Sequence, residues 1–196
     1  MEGRKPLGEA LKEFDALRKG KSEGKVFIYP LNHHTERTGF CPCQVGEGGV
    51  LRLILWQARY VIGAVALLLP WSSVKVSLFR ALGARIGRNV YISSNVWIDP
   101  TLPELLTIED NVLVGAGARI ALHELCIDKY VAGRVIIREG ANIGGFSLIA
   151  PGVEIGRRGS VAGGAVVARD VPPGATVGGN PARILKPRTR EPEPQG

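Results

Sequence analysis

His123 is the only histidine after residue 34, and it lies where a regular pattern in the sequence stops. An imidazole has an ordinary pKa near 6.5, so it can accept a proton at neutral pH and serve as a general base. A lone histidine is also common as a packed or surface residue without a chemical role. The break in the pattern within "ARIALHELC" favours the first interpretation and leaves the second open.

Three other side chains near this break could assist proton transfer or bind a substrate, namely Asp99, Glu124 and Tyr130. Asp99 could orient His123 or contact the substrate, although an aspartate at a corner of the chain equally often caps a turn. Glu124 and Tyr130 border the same corner and are candidates for the same two roles.

A second group of chemically active residues lies in the N-terminal quarter of the chain. It comprises His33, His34, Cys41 and Cys43. Imidazole and thiolate groups bind zinc, but this spacing matches no strong zinc-binding pattern. We therefore predict no metal site.

The pattern around His123 is an aliphatic side chain at every sixth position, in four sets of three between residues 86 and 167. Residues six apart lie on opposing sides of an α-helix, so one helix cannot bury them together. The spacing instead predicts a parallel β-helix of triangular coils, with three short strands in each coil. A β-sandwich would place its turns without this register. The aliphatic positions are Ile86, Ile92, Ile98, Ile108, Val114, Ile120, Ile137, Ile143, Ile149, Ile155, Val161 and Val167.

Two insertions interrupt the repeat, and each follows the third aliphatic residue of a set. The first is residues 99–107 and the second is residues 124–136. If three strands make one coil, both insertions leave the same corner of the prism, one coil apart. Loops on a rigid scaffold are where binding sites form, so we expect a site at this corner.

The N-terminal part of the chain predicts helices. Residues 5–19 carry a helical apolar stripe that suits docking, and residues 50–83 are largely apolar. Arg52, Gln57 and Arg59 interrupt that apolar stretch, so it provides no clean membrane span. Pro70 should end a first helix, and Ser72 or Ser73 should cap a second that carries Val76, Leu78 and Leu82. This region could anchor at a membrane surface with Lys75, Arg80 and Arg85 facing anionic lipid, or it could pack against protein.

The segments "LTIEDNVLVGAGARIALHE" and "VVARDVPPGATVGGNPARIL" resemble the left-handed β-helix hexapeptide acyltransferases, which include maltose and galactoside O-acetyltransferases. The resemblance implies an all-β fold of four left-handed coils and a homotrimer with acyl-CoA between neighbouring subunits. It also implies that His123, before the second insertion, is the general base. Acyl transfer from a thioester needs such a base, since the attacking hydroxyl or amine must lose its proton.

The same resemblance implies five contacts with acetyl-CoA, at Gly145, Gly163, Ala168, Arg169 and Arg183. The glycines would let the pantetheine arm approach the main chain closely. The arginines would bind the phosphates of CoA. Relatives often have threonine where Ala168 lies, so only the backbone of Ala168 could serve.

Composition limits the partners. The formal charge of +7 favours anionic partners, but an aromatic content of only 6% argues against nucleic acid. Three cysteines give no disulfide framework, and the first residues form no apolar signal core, so we expect a cytoplasmic protein that can bind the membrane peripherally. Two other classes of enzyme are disfavoured. A γ-type carbonic anhydrase would need three histidines on one zinc, and a sugar nucleotidyltransferase would need a further nucleotide-binding domain.

We therefore divide the chain into residues 1–49 (helix and linker), 50–83 (apolar helical segment), 84–187 (acyltransferase β-helix) and 188–196 (flexible tail). The expected function is transfer of acetyl from acetyl-CoA to a hydroxyl or amine. The expected acceptor is a sugar or sugar-lipid of envelope polysaccharide synthesis. The alternative is a membrane-docked structural β-helix in which His123 has no catalytic role.

Overall fold

The computed structural model describes residues 7–20, 26–30, 49–126 and 129–185. Within these residues, helices and one strand precede a column of parallel strands. These first elements are α1 (Leu7–Arg18), β1 (Val26–Pro30), α2 (Gly49–Leu68) and α3 (Ser72–Ala81). The helices predicted near residues 5–19 and within residues 50–83 are thus confirmed. His33, His34, Cys41, Cys43 and the tail 188–196 lie outside the described residues.

The parallel strands form the three faces of a triangular prism. The first face contains β2 (Arg85–Ile86), β5 (Leu106–Ile108), β10 (Val135–Ile137) and β13 (Glu154–Ile155). The second contains β3 (Tyr91–Ile92), β6 (Leu113–Val114), β11 (Asn142–Ile143) and β14 (Ser160–Val161). The third contains β4 (Trp97–Ile98), β7 (Arg119–Ile120), β12 (Leu148–Ile149) and β15 (Val166–Val167). The four predicted coils are therefore present.

Equivalent aliphatic residues of successive coils pair in register, as the six-residue spacing predicts. On the first face, Ile86 pairs with Ile108, Ile108 with Ile137, and Ile137 with Ile155. These four side chains are between 0% and 9% exposed. Burying an aliphatic side chain of this size contributes about 1.5–3 kcal/mol relative to leaving it exposed. The ladder therefore holds the coils in one register.

A partial fifth coil closes the C-terminal end of the column. Val171 forms a bridge with Ile155, and β16 (Thr176–Gly178) extends the second face. The last strand, β17 (Arg183–Ile184), turns back antiparallel to β16. The repeat alone did not predict this closing turn.

The second insertion folds as a β-hairpin rather than an irregular loop. Its strands are β8 (His123–Leu125) and β9 (Lys129–Gly133), and β9 also pairs antiparallel with β1. Helix α1 packs on this small sheet through Phe14, whose ring centroid lies 5.3 Å from that of Phe27 and 6.3 Å from that of Tyr130. The N-terminal elements therefore support the hairpin from behind.

The first insertion is held by helices α1 and α2. A short 3-10 helix spans Pro103–Leu105, and Glu104 within it forms an ion pair with Arg18 of α1. Arg59 of α2 lies 3.8 Å from the second carboxylate oxygen of Glu104. Two helices that are distant in sequence thus meet at the loop that follows the first coil.

The predicted serine cap of α3 is wrong. The residue before the first helical position is Trp71, and it makes no capping hydrogen bond. Ser72 is already helical, and its Oγ accepts a hydrogen bond from the Ile92 N–H at 2.8 Å and donates to the Val90 carbonyl at 3.4 Å. This hydroxyl therefore attaches α3 to the first coil instead of starting the helix. Ser73 likewise lies inside the helix.

Of the three cations that the membrane-anchor alternative would turn toward lipid, the structure excludes one. Lys75 is only 1% exposed, and its ammonium group donates a hydrogen bond to the Ser93 carbonyl. This burial lowers the pKa of Lys75. Arg80 is exposed but donates to the Ile86 carbonyl at 2.9 Å, and Arg85 remains exposed. The Lys75 side chain is therefore inside the protein, and its ammonium group cannot contact a lipid headgroup.

Helix α2 exposes much of its apolar surface. It contacts the column through Gly63 and Ala66, which are buried. Large apolar side chains elsewhere on and after the helix are exposed, up to 82% at Leu68 and 63% at Trp71. In the part of the chain that the structure describes, no helix is long and apolar enough to cross a membrane.

Candidate active site

Both insertions leave the prism at the same corner, as predicted. Ile98 of β4 pairs with Ile120 of β7, and the next residue in the first coil is Asp99. The Asp99 N–H donates to the Ile120 carbonyl at 3.1 Å. His123 begins the hairpin three residues after Ile120, so the two insertions bring Asp99 and His123 together.

Asp99 and His123 form a hydrogen-bonded pair. The Nδ1 atom of His123 is bonded to Oδ2 of Asp99. The Asp99 side chain is completely buried, whereas 26% of the His123 side chain is exposed. The carboxylate therefore lies behind the imidazole, and the ring reaches the surface of the corner.

The second oxygen of Asp99 is held by Thr101. The Thr101 N–H donates to Oδ1 at 2.9 Å, and the Thr101 hydroxyl donates to the same oxygen at 2.6 Å. The first of these bonds is the side-chain turn that aspartate commonly forms with the residue two positions later. Asp99 thus bonds His123 through one oxygen and forms the turn through the other. Thr101 was not identified from the sequence, although the Asp-Pro-Thr order is a turn signal.

The environment keeps Asp99 ionised. Burial opposes the charged carboxylate, but the hydrogen bonds from His123 and Thr101 outweigh it and hold the pKa of Asp99 below its ordinary value. A carboxylate without a proton can only accept a hydrogen bond. The shared hydrogen therefore belongs to Nδ1 of His123, and the lone pair of the ring lies on Nε2.

Tyr130 packs against the imidazole. Its ring centroid lies 5.7 Å from that of His123, with an angle of 28° between the planes. Tyr130 is fully buried, and among the described residues its hydroxyl has no hydrogen-bond partner. Burial and the negative charge of Asp99 raise the pKa of Tyr130 well above its ordinary value. The contact fits the predicted orienting role, and the burial does not favour contact with a substrate.

Four of the remaining predicted site residues lie along the two edges of the third face. Gly145 follows β11 and Gly163 follows β14, so both lie at the edge where the second face meets the third. Ala168 and Arg169 follow β15 at the opposite edge, the same corner as Asp99. Three inter-strand spacings, about 14–15 Å, separate the levels of Asp99 and Ala168 along this corner.

Arg183 lies near the C-terminal end of the third face, and Glu124 lies next to His123. The neighbour of Arg183, Ala182, donates its N–H to the Val166 carbonyl of β15 at 2.8 Å, so Arg183 lies beside the C-terminal end of the third face. Its side chain is exposed, as is that of Arg169. Glu124 follows His123 on β8, and its side chain is exposed too.

At the edge between the second and third faces, the glycine-containing turns of successive coils lie very close to one another. A Cβ atom on Gly115 would lie 2.6 Å from the Gly145 nitrogen, and one on Gly144 would lie 2.5 Å from the Gly163 nitrogen. Such distances are too short for any side chain. A Cβ atom on Gly145 itself would lie 2.8 Å from the Ala116 carbonyl oxygen, whereas one on Gly163 would lie 3.3 Å from the Gly145 carbonyl oxygen, so Gly163 is the less restricted of the two.

Comparisons with known proteins identify the family of this chain. The Bacillus subtilis protein YvoF, which is named as an acetyltransferase, is 35% identical over 128 residues, covering 65% of this chain and 74% of YvoF. A hexapeptide-repeat acetyltransferase structure from Vibrio cholerae is 26% identical, with a TM-score of 0.57 over 68% of this chain and 90% of that one. This chain belongs to the hexapeptide-repeat acetyltransferases. The family predicted from the sequence is confirmed.

Other relatives of this hexapeptide-repeat acetyltransferase share shorter segments or only the fold. A 2,3,4,5-tetrahydropyridine-2,6-dicarboxylate N-acetyltransferase of Staphylococcus aureus is 44% identical over 80 residues, so the chain spans about one third of that enzyme, 32%. A galactoside acetyltransferase structure is 18% identical, with a TM-score of 0.59 over 89% of this chain and 90% of that one. No family model matches. The predicted left-handed parallel β-helix is confirmed.

A second concave region of this acetyltransferase is a network of ion pairs. A cavity of about 580 Å³ lies along the first face, and its lining includes Glu109, Arg138, Glu154 and Asp170. Arg138 in its wall bonds Glu109 at 2.7 Å and Glu154 at 2.9 Å. The hydrogen bond from Arg138 holds the pKa of Glu109 below its ordinary value. One arginine thus holds two glutamates in the wall, and we assign the cavity a structural role.

Residues that could hold a metal are not clustered in the described part of this acetyltransferase. No group of three or more histidine, cysteine, aspartate or glutamate side chains is close enough to bind an ion there. The candidates His33, His34, Cys41 and Cys43 are outside that part.

Proposed function

We propose that this acetyltransferase transfers an acetyl group from acetyl-CoA to a hydroxyl or amine, and that His123 is its general base. The observation that carries the proposal is the buried Asp99 carboxylate bonded to Nδ1 of a partly exposed imidazole. The Vibrio cholerae acetyltransferase has also been solved with acetyl-CoA, which supports the choice of acyl donor.

The proposed reaction is a direct acyl transfer. As the oxygen or nitrogen of the acceptor attacks the thioester carbonyl carbon, Nε2 of His123 takes the proton of the acceptor. The C–S bond then breaks, and the imidazolium returns the proton to the sulfur of CoA. The Asp99 carboxylate stabilises the positive charge on the ring during this cycle. Backbone N–H groups stabilise the negative charge that forms on the carbonyl oxygen.

The proposed donor site follows the third face. Gly145 and Gly163 offer their main chain to the pantetheine arm, since no side chain there blocks close approach. Ala168 contributes only backbone groups. Arg169 and Arg183, both exposed, bind the phosphates of CoA. The net charge of +7 favours the approach of such an anionic donor.

The proposed acceptor is a sugar or sugar-lipid of envelope polysaccharide synthesis. Similarity of fold to galactoside and maltose acetyltransferases supports a hydroxyl acceptor. Similarity to the tetrahydropyridine-dicarboxylate N-acetyltransferases supports an amine. Asp99 is occupied by its own bonds, so the exposed Glu124 is the better candidate for an acceptor contact.

The proposed assembly is a homotrimer, in which each donor site lies between neighbouring subunits. The exposed apolar surface of α2 has two candidate partners, a neighbouring subunit or a membrane, and with the membrane the enzyme would act at its cytoplasmic face. Light scattering should give three times the chain mass of 21.0 kDa. If the protein binds anionic vesicles through α2 and salt releases it, the exposed surface of α2 contacts anionic lipid.

Calorimetric titration with acetyl-CoA tests the proposed function. The acetyltransferase should bind one acetyl-CoA for each subunit, and the Arg169→Gln variant should bind more weakly. Absence of binding would contradict the proposal and favour the alternative of a structural, membrane-docked β-helix.

A further inference from the structure

Thr101 contacts both members of the Asp99–His123 pair. Its Oγ1 is 2.6 Å from Oδ1 of Asp99 and 3.3 Å from Nδ1 of His123, and the residue is buried. We propose that the Thr101 hydroxyl is a positioning group that fixes the proton of His123 on Nδ1 and so keeps Nε2 free. This inference rests on the proposed function, because a free Nε2 matters only if His123 is the base.

The Thr101 hydroxyl has a single proton to donate. The short contact commits that proton to Oδ1 of Asp99, which carries no proton of its own to donate. Toward His123, the hydroxyl then presents only a lone pair. Oδ2 of Asp99 also presents only lone pairs to the same nitrogen. Two acceptors face Nδ1, so the ring is stable there only with its hydrogen on Nδ1.

Thr101 also fixes which oxygen of Asp99 meets the imidazole. Its N–H and hydroxyl both bind Oδ1, so rotation of the carboxylate would break two hydrogen bonds. Pro100, between the two residues, has no N–H and packs against Gly63 of α2. Helix α2 therefore supports the turn that holds the carboxylate in place.

The tautomer of His123 can be measured directly in the full-length protein. Long-range ¹H–¹⁵N spectra of histidine-labelled protein distinguish hydrogen on Nδ1 from hydrogen on Nε2. The chain has three histidines, and the spectrum of His123→Asn identifies the His123 signal. We expect hydrogen on Nδ1 in the wild type. In Thr101→Val, which keeps the size and the N–H, the Asp99 carboxylate loses the hydroxyl that holds it against the ring, so a detectable fraction of the Nε2–H tautomer should accompany the Nδ1–H tautomer that Asp99 still favours. Thr101→Ser, which keeps the hydroxyl, should restore the wild-type spectrum.

Turnover of the same variants is the second measurement. It is followed as release of the CoA thiol from acetyl-CoA, with the acceptor that gives the highest rate among a panel of sugars and amines. Thr101→Val should lower kcat about tenfold, the size expected for one hydrogen bond to a charged group. KM for acetyl-CoA should change less than about twofold, and Thr101→Ser should recover most of kcat.

A Thr101→Val variant with the wild-type tautomer and wild-type kcat would overturn the inference. Failure of the proposed function gives a different result. In that case His123→Asn keeps its turnover, while Thr101→Val still alters the tautomer of the ring.

Discussion

The two oxygens of Asp99 have separate partners, and this division determines what the residue can do. Oδ1 binds the turn through Thr101, while Oδ2 binds the imidazole of His123. The two contacts of Asp99 therefore depend on its charge as well as its shape. An asparagine side chain has the same shape, but only its oxygen can accept a hydrogen bond, whereas both oxygens of a carboxylate can.

The Asp99→Asn variant tests the need for charge. An amide can donate a hydrogen bond to Nδ1, which would favour hydrogen on Nε2 and prevent that atom from accepting a proton. We expect kcat to fall by about a hundredfold to ten-thousandfold. Calorimetry should show unchanged affinity for acetyl-CoA, since Asp99 is buried. A variant with near-normal kcat would refute the orienting role.

The same carboxylate should make stability depend on pH. Burial opposes ionisation of Asp99, yet its hydrogen bonds hold the folded-state pKa below the ordinary value. Stability from the ionised form is therefore fully present above the unfolded-state pKa and is lost as the pH falls through and below that value. Urea unfolding between about pH 6 and pH 3 should show this loss in the wild type and a smaller loss in Asp99→Asn. Equal losses would mean that the carboxylate is not preferentially stabilised in the folded state.

The Tyr130→Phe variant separates packing from hydrogen bonding behind the base. The buried hydroxyl has no hydrogen-bond partner among the described residues, so its removal should leave thermal stability unchanged or raise it slightly. The ring stacked on His123 remains, so kcat should stay within about twofold of the wild type. A large loss of kcat would instead give the hydroxyl a direct role with the acceptor.

At the scale of elements, helix α2 positions the turn that carries Asp99. A Cβ atom on Gly63 would lie 2.8 Å from Cγ of Pro100, too close for the helix to keep its place. Gly63→Ala should lower the melting temperature and reduce kcat, because Pro100 connects Asp99 to Thr101. Ala64→Ser, a matched change on the exposed side of α2, should alter neither value. Normal kcat and stability in Gly63→Ala would show that α2 does not fix this turn.

The ladder of the β-helix could be predicted from the sequence, because its contacts repeat at a fixed spacing of six residues. The common corner of the two insertions followed from the same count. The hairpin within the second insertion could not be predicted this way. Its strand β9 pairs with β1, where Val26 meets Gly133, and no local pattern specifies a partner so distant in sequence.

The site could be predicted in part. His123 stood out because it is a lone histidine at a break in the repeat, and Asp99 because it lies one coil below. Thr101 was missed because its contacts with Asp99 and His123 depend on how the turn is folded, which no spacing in the sequence gives. Ser72 was assigned to a cap from its local position, but the first coil offered its hydroxyl better partners at Ile92 and Val90.

At the scale of the whole molecule, the excess of positive charge suits an anionic donor along the third face. Arg169 and Arg183 are the exposed cations beside that face to which we assign CoA. Replacing either by glutamine should weaken binding of acetyl-CoA more than binding of dephospho-acetyl-CoA, if that residue binds the 3′-phosphate. Arg158→Gln, an exposed cation at the far corner, is the matched control and should affect neither ligand. Equal weakening for both ligands would place the arginine away from the 3′-phosphate.

The turnover of His123→Asn tests the central claim most directly. Asparagine keeps a polar side chain at the corner but cannot take a proton near neutral pH, and the ladder residues Ile98 and Ile120 are untouched. The variant should remain folded, bind acetyl-CoA as the wild type does, and lose about a hundredfold to ten-thousandfold in kcat. A folded His123→Asn variant that keeps most of its turnover with the same acceptor would contradict the assignment of His123 as the general base.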